Sequence, residues 1–313
     1  MKKQITALSL AMVLGFGFQP IASLAETSNN ITQDSTQQAG WKLENGERFY
    51  YENGSKKTGW LKYGENWYYL DEAAGGAMKT GWLKEGTNWY YLDAAAGGAM
   101  KTGWLKYGEN WYYLDAAAGG AMKTGWLKTG GSWYYLDAAA SGAMKTGWLK
   151  YGENWYYLDE AAGGAMKTGW LKEWSSWYYL DEAAGGTMKT GWNKIDEKMN
   201  YFKDSGQWIG NTRELTVRST AYSNDPEENG AEPGEHVYTS MGDDLTANPN
   251  LKVIAVDSSV IPLGSNVYVE GYGPAGARDT GGAIKGNKID VFIPSKQEVW
   301  NWGVRTVKVY VLP

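Results

Sequence analysis

The chain has 313 residues, enough for one to three domains, and a net charge of −5 with both signs spread along it. No basic stripe is present, which argues against nucleic acid as a partner; there is no cysteine, which rules out disulfides, and a single histidine, His236, is weak support for a metal centre, so no metal or other cofactor is expected. Eighteen Trp and 23 Tyr stand against 5 Phe, a preference for rings with a polar edge that suits surfaces that bind something.

Residues 1–25 have the form of an export signal. Lys2 and Lys3 precede the apolar run ITALSLAMVLGFGF, and ASLA supplies a small residue for cleavage after Ala25. The run is short for a bilayer span and no later stretch is apolar enough, so no membrane span is expected after signal cleavage. Residues 26–40 are polar and without periodicity, which reads as a linker.

From about residue 41 to 210 the chain is periodic. Trp60, Trp82, Trp104, Trp126, Trp148, Trp170 and Trp192 each follow a glycine at 22-residue spacing. Trp67, Trp89, Trp111, Trp133, Trp155 and Trp177 each open the run WYYL at the same spacing. With a shorter first unit from Trp41 and a divergent last one through Tyr201 and Trp208, this makes about eight units of a stacked array. Within a unit, GWLK and WYYLD read as strands flanking a turn, and AAGGAM links to the next hairpin. Alternation puts Trp67 and Tyr69 on one face and Tyr68 and Leu70 on the other. An isolated hairpin is marginal in water, so each must bury a face on its neighbour. The remaining aromatics either glue the array or line binding sites. Two tryptophans of one hairpin and an aromatic of the next would form a three-walled box for a quaternary ammonium group, and many such boxes would give avidity on a polymer.

The stretch TGWLKYGENWYYLDEAAGGAMKTGW resembles the choline-binding, or cell-wall-binding, repeats of Gram-positive bacteria and their phages. The resemblance implies a β-hairpin solenoid whose boxes hold choline on teichoic acids, or, in related secreted proteins, glucans. Carried onto this chain, the boxes pair Trp60 with Trp67, Trp82 with Trp89, Trp104 with Trp111, Trp126 with Trp133, Trp148 with Trp155 and Trp170 with Trp177. The aromatic borrowed from the following WYY is expected to be Tyr91, Tyr113, Tyr135, Tyr157 or Tyr179. Unit seven departs from the pattern, with Trp174 where others have glycine, and the divergent last unit reads as a cap.

Residues 215–313 carry no repeat. LTVRSTAY, LKVIAV, SNVYVE, KIDVFI and TVKVYVL read as strands, and SKQEVWNWG as a short helix begun by Ser295 and Glu298. In KIDVFI, Ile289 and Val291 face one way and Asp290 and Phe292 the other. Asp257 is well explained by turn chemistry; Asp290, in mid-strand, is not. Should Asp279 and Asp290 converge, mutual repulsion would raise one pKa and leave a general acid.

VIAVDSSVIPLGSNVYVEGYG and ARDTGGAIKGNKIDVFIPS are similar to the 3D domain, named for three aspartates, here Asp257, Asp279 and Asp290. The resemblance extends to stationary-phase survival wall proteins and, more distantly, to lytic transglycosylase A. It implies a double-psi β-barrel that cleaves the MurNAc–GlcNAc bond of peptidoglycan to 1,6-anhydro products, with Asp290 as acid and base, Asp279 in support and Asp257 structural. Thr280, Gly281, Gly282 and Lys285 of the intervening turn are the remaining candidates. The expected protein is all-β, secreted and associated with a Gram-positive cell wall. Its expected partners are peptidoglycan glycan strands and choline-bearing teichoic acids or glucans. The alternatives are an expansin-like barrel that grips glycan without cutting it, and a hydrolase.

Overall fold

The computed structural model describes residues 39–313; the export signal and nearly all of the linker lie outside the described residues. Two compact units divide the chain, one ending at Lys79 and one running from Thr80 to Pro313. Among the described residues there is no helix long and apolar enough to cross a membrane.

The first unit holds two hairpins, Gly40–Glu44 with Glu47–Glu52 and Gly59–Tyr63 with Asn66–Asp71. In the first, Arg48 stands opposite Leu43, so the position that opens WYYL elsewhere carries no ring there. The second unit continues the series from Gly81–Glu85 with Asn88–Asp93 to Gly191–Ile195 with Lys198–Phe202, then closes a barrel.

The register of one hairpin explains its stacking. Trp104 pairs with Tyr113 and Lys106 with Trp111, while Leu105 pairs with Tyr112 and Gly103 with Leu114. One face is therefore Trp104, Lys106, Trp111 and Tyr113; the other is Leu105, Tyr112 and Leu114. The leucine closing each WYYL is fully buried, and each such burial is worth roughly 1.5–3 kcal/mol. The aspartate after it ends the strand: Asp115 accepts from the Ala117 N–H and caps a single 3₁₀ turn, which Gly119 closes in the left-handed region. The second glycine of the pair has another task. A Cβ on Gly120 would lie 2.5 Å from Cε of Met100 in the preceding unit, and one on Gly142 at the same distance from Met122. The GG and the AM of the repeat are thus one contact seen from two units.

The barrel strands are β1 (Arg213–Tyr222), β2 (Val253–Val256), β3 (Asn266–Val269), β4 (Gly273–Asp279), β5 (Lys288–Phe292) and β6 (Arg305–Val311). They close in the order β1-β5-β2-β4-β3-β6, with β1/β5 and β2/β4 parallel and the other neighbours antiparallel. The resemblance implied a β-barrel and the sequence read as five strands; the barrel closes with six, β4 being the addition. Ile254, Val256, Val267, Ile289, Val291 and Val309 fill its interior. Val253 and Phe292, one step out of phase, pack with Val237 and Leu245 from the long β1–β2 connection. That connection is a lid of protein on the outer face of β1, β5 and β2. Helix α1 (Lys296–Trp302) follows β5, with the Ser295 side chain accepting from the Glu298 N–H.

Candidate functional site

Two kinds of site emerge. In the repeats, Trp82 stands edge-on to Trp89 with centroids 6.4 Å apart, and the ring of Tyr112 from the next hairpin comes within 5.1 Å of Trp82. Trp104 with Trp111 and Tyr134, Trp126 with Trp133 and Tyr156, and Trp148 with Trp155 and Tyr178 repeat this arrangement. Trp60 meets Trp67 in the same way, at 6.4 Å. The WYYL tryptophans keep about two-fifths of their surface open, which no pure gluing role requires. The cleft at Trp82 has a volume of about 570 Å³, and Met122, Ser141 and Gly142 border it.

The borrowed ring differs from expectation. It is the first tyrosine of the next WYY. Tyr91, Tyr113, Tyr135, Tyr157 and Tyr179 instead lie 5.2–5.3 Å from the GW tryptophan of their own hairpin, as its cross-strand partners. Alternation assigned the two tyrosines to opposite faces but did not say which face meets the next hairpin. Tyr157 also donates to Glu173, and that bond pushes its hydroxyl up to about 12. In unit seven Trp174 turns outward, 91% exposed, and the Trp170–Trp177 pair keeps its 6.2 Å spacing.

In the barrel, β2 is flanked by β4 and β5, and Ala255 is the register partner of both Asp279 and Asp290. The two aspartates therefore straddle one small residue, two strand spacings apart, or roughly 10 Å between Cα atoms. Asp290 leaves the barrel interior to Ile289 and Val291, as its alternation predicts. Its Oδ1 accepts from Thr220 Oγ1 at 2.7 Å, across the parallel β1/β5 pair. Burial pushes the Asp290 carboxyl above its ordinary value, against the lowering effect of the Thr220 bond and of Lys288; the Asp279 charge adds the smallest push. The cause is thus desolvation more than the mutual repulsion the sequence suggested.

Asp279 is saturated with donors. Its Oδ2 accepts from Tyr222 Oη at 3.0 Å, and its Oδ1 accepts from the Ser240 N–H, Ser240 Oγ and the Thr280 N–H at 2.8–2.9 Å. Tyr222 and Ser240 were not legible as site residues, because β1 and the β1–β2 connection reach Asp279 only through tertiary structure. Burial, then the Asp279 charge, pushes the Tyr222 hydroxyl well up, so it stays a donor. Ser240 is presented by a tight turn: Gly242 N–H bonds Thr239 C=O, and Asp243 pairs with Arg278 at 2.6 Å.

Asp257 serves the turn between the other two acids. It accepts from Ser259 Oγ and N–H and, through Oδ2, from the Gly286 N–H at 2.7 Å, which hold it down to about 2. Gly286 sits in the left-handed region with φ +61°, and Ile284 fills the place a Cβ on Gly281 would take. Gly282 faces open space and Lys285 is exposed. His236 pairs with Asp244 at 2.7 Å on the surface.

Residues 252–313 match the 3D domain family, residues 58–170 match the choline-binding repeat in four overlapping copies, and residues 168–183 match a putative cell wall binding repeat. The chain carries choline-binding repeats and a 3D domain. It is 63% identical over 101 residues to the cell wall-binding protein YocH of Bacillus subtilis, covering 32% of this chain and 33% of that protein. It is 55% identical over 98 residues to the putative cell wall shaping protein YabE of the same organism, covering 31% and 23%. The chain thus spans a third or less of the length of these relatives. Among solved structures, CbpJ of Streptococcus pneumoniae is 44% identical, with TM-score 0.47, over 52% of this chain and 56% of that one. In the 3D domain the three aspartates have distinct surroundings: Asp257 on the turn, Asp279 among donors, Asp290 half-buried with Oδ2 accepting no hydrogen bond among the described residues.

Proposed function

We propose that the protein is secreted to a Gram-positive cell wall, holds wall polymers through its aromatic boxes, and acts on peptidoglycan glycan strands with the 3D domain as a lytic transglycosylase. The observation that carries the cutting step is the contrast between the two acids. Asp290 is raised by burial and keeps one oxygen free, the condition of a general acid. Asp279 accepts from Tyr222, Ser240 and Thr280, donors that would hold a carboxylate in place to steady a cationic transition state.

In this reading Asp290 gives its proton to the glycosidic oxygen as the C1–O4 bond breaks. It then takes the proton of the sugar's C6 hydroxyl while O6 closes on C1. One carboxyl serves both transfers, and the substrate supplies the nucleophile. An ordinary hydrolase needs a second, available carboxylate to direct water, and Asp279 is poorly available. For the boxes, edge-on indoles with an open rim favour a quaternary ammonium group such as choline on teichoic acid, worth about 2 kcal/mol per desolvated site.

A second reading, a barrel that grips glycan without cutting it, is favoured by the relatives' names, cell wall-binding and cell wall shaping. Digestion of purified peptidoglycan separates the two. Mass analysis should find anhydro-muropeptides with the wild type and none with Asp290→Asn. Reducing ends would indicate hydrolysis, and intact glycan with retained binding would establish the second reading. Elution from a choline column by free choline, or passage through it, decides choline against glucan for the repeats.

A further inference from the structure

The eighth hairpin breaks the pattern that the earlier boxes rely on. By register, Asn200 stands where the borrowed tyrosine should be, Met199 where WYYL has tryptophan, and Phe202 where it has leucine. The box of unit seven, Trp170 with Trp177, therefore has no tyrosine to close it. Trp208 fills the gap. Its two-residue strand, Trp208–Ile209, pairs back onto Lys198–Phe202, and its indole lies 5.4 Å from Trp170 at 74°. The borrowed tyrosines of the regular boxes lie 4.9–5.1 Å from their tryptophans at 66–71°.

The replacement is held in place. Trp208 Nε1–H donates to Asn200 Oδ1 at 3.0 Å, so the residue that removed the tyrosine aims its substitute. Gln207 Nε2 donates to Ser176 Oγ at 3.2 Å and ties the segment to the hairpin whose box it closes. A Cβ on Gly210 would sit 3.2 Å from the Trp208 ring, so the backbone there backs the indole closely. Lys172 lies 5.8 Å from the Trp177 ring, as Lys84 does from Trp89, so the local cation does not set this box apart.

We propose that Trp170, Trp177 and Trp208 form a further binding site for a quaternary ammonium group, walled by three indoles, with Asn200 as the residue that positions the third wall. The site rests on the reading of the regular boxes as quaternary ammonium sites, and gives the expected Trp170–Trp177 pair a third wall that the repeat pattern itself does not supply. Indole is the strongest cation–π partner among the side chains, so this box should bind more tightly than those closed by tyrosine.

The test follows indole N–H signals by ¹H–¹⁵N NMR on the full chain during titration with choline chloride, against sodium chloride at equal concentration. Trp208→Phe assigns the Trp208 signal without emptying the wall. The Trp208 signal should move with the titration and saturate at a choline concentration about threefold or more below that of the tyrosine-closed boxes. Asn200→Ala should weaken this site alone, and Asn200→Asp, which keeps the acceptor, should restore it. A Trp208 signal that stays fixed while the signals of the other boxes shift overturns the proposal and leaves the regular boxes standing. Signals that all stay fixed overturn the quaternary ammonium reading of every box.

Discussion

Gly142→Ala tests whether the GG of one unit and the AM of its predecessor are a single contact that shapes a box. Gly142 has φ +85°, and its added methyl would meet Met122 Cε at 2.5 Å and Sδ at 2.8 Å. The left-handed backbone costs an alanine roughly 1–2 kcal/mol. The methyl meets the flexible end of Met122, which can turn aside, so overpacking adds up to roughly 1 kcal/mol and the loss should be about 1–3 kcal/mol. Ser141 is the internal control: it already holds φ +55° as a non-glycine, so Ser141→Ala should change little. Urea unfolding of the full chain followed by circular dichroism gives the loss. In a double-mutant cycle Met122→Ala should relieve the overpacking and leave the backbone cost, a coupling of up to about 1 kcal/mol. Met122 and Gly142 both border the cleft at Trp82, so Gly142→Ala should also weaken choline binding there, read from the Trp82 and Trp89 indole signals. Equal costs for Gly142→Ala and Ser141→Ala, or a cycle without coupling, would refute a shared Gly142–Met122 contact.

The barrel offers three further tests. Tyr222→Phe removes one donor to Asp279 and should cost about 1.5–3 kcal/mol in unfolding measurements, with loss of glycan cleavage in the peptidoglycan digest. Asp290, raised by burial, is favoured neutral in the fold: that benefit is complete below the ordinary Asp range and is lost as pH rises through the raised value. Asp290→Asn should therefore raise Tm at pH 7, with the gain disappearing as pH falls below about 4; an equal gain at both pH values would contradict this. Asp257, held down to about 2, has the opposite sign. It stabilises above the ordinary Asp range and its contribution goes as pH falls through about 2, so the Tm of Asp257→Asn should be lower at neutral pH and converge with the wild type in acid.

The repeats were legible because their period is local: register, turn and cap all lie within 22 residues. What alternation left open was which face meets the neighbour, and so the borrowed ring was placed one residue late. The barrel strands rich in Val and Ile were legible for the same local reason, and β4 was not. GPAGARD offers no branched or aromatic side chain, and its strand conformation comes from pairing with β2 and β3 on either side.

The missed strand is the one that makes the site. The sequence left open whether Asp279 and Asp290, on either side of a glycine turn, converge. The turn does join β4 to β5, but the two strands are not neighbours: β2 lies between them, and Ala255 is the residue both aspartates flank. With β2 between them, each carboxylate has its own set of partners. Asp290 takes its one bond from β1, and Asp279 takes donors from β1 and the β1–β2 connection. Separation across Ala255 leaves Asp290 raised by burial and Asp279 held by several donors, the asymmetry on which the proposed single-acid cleavage rests.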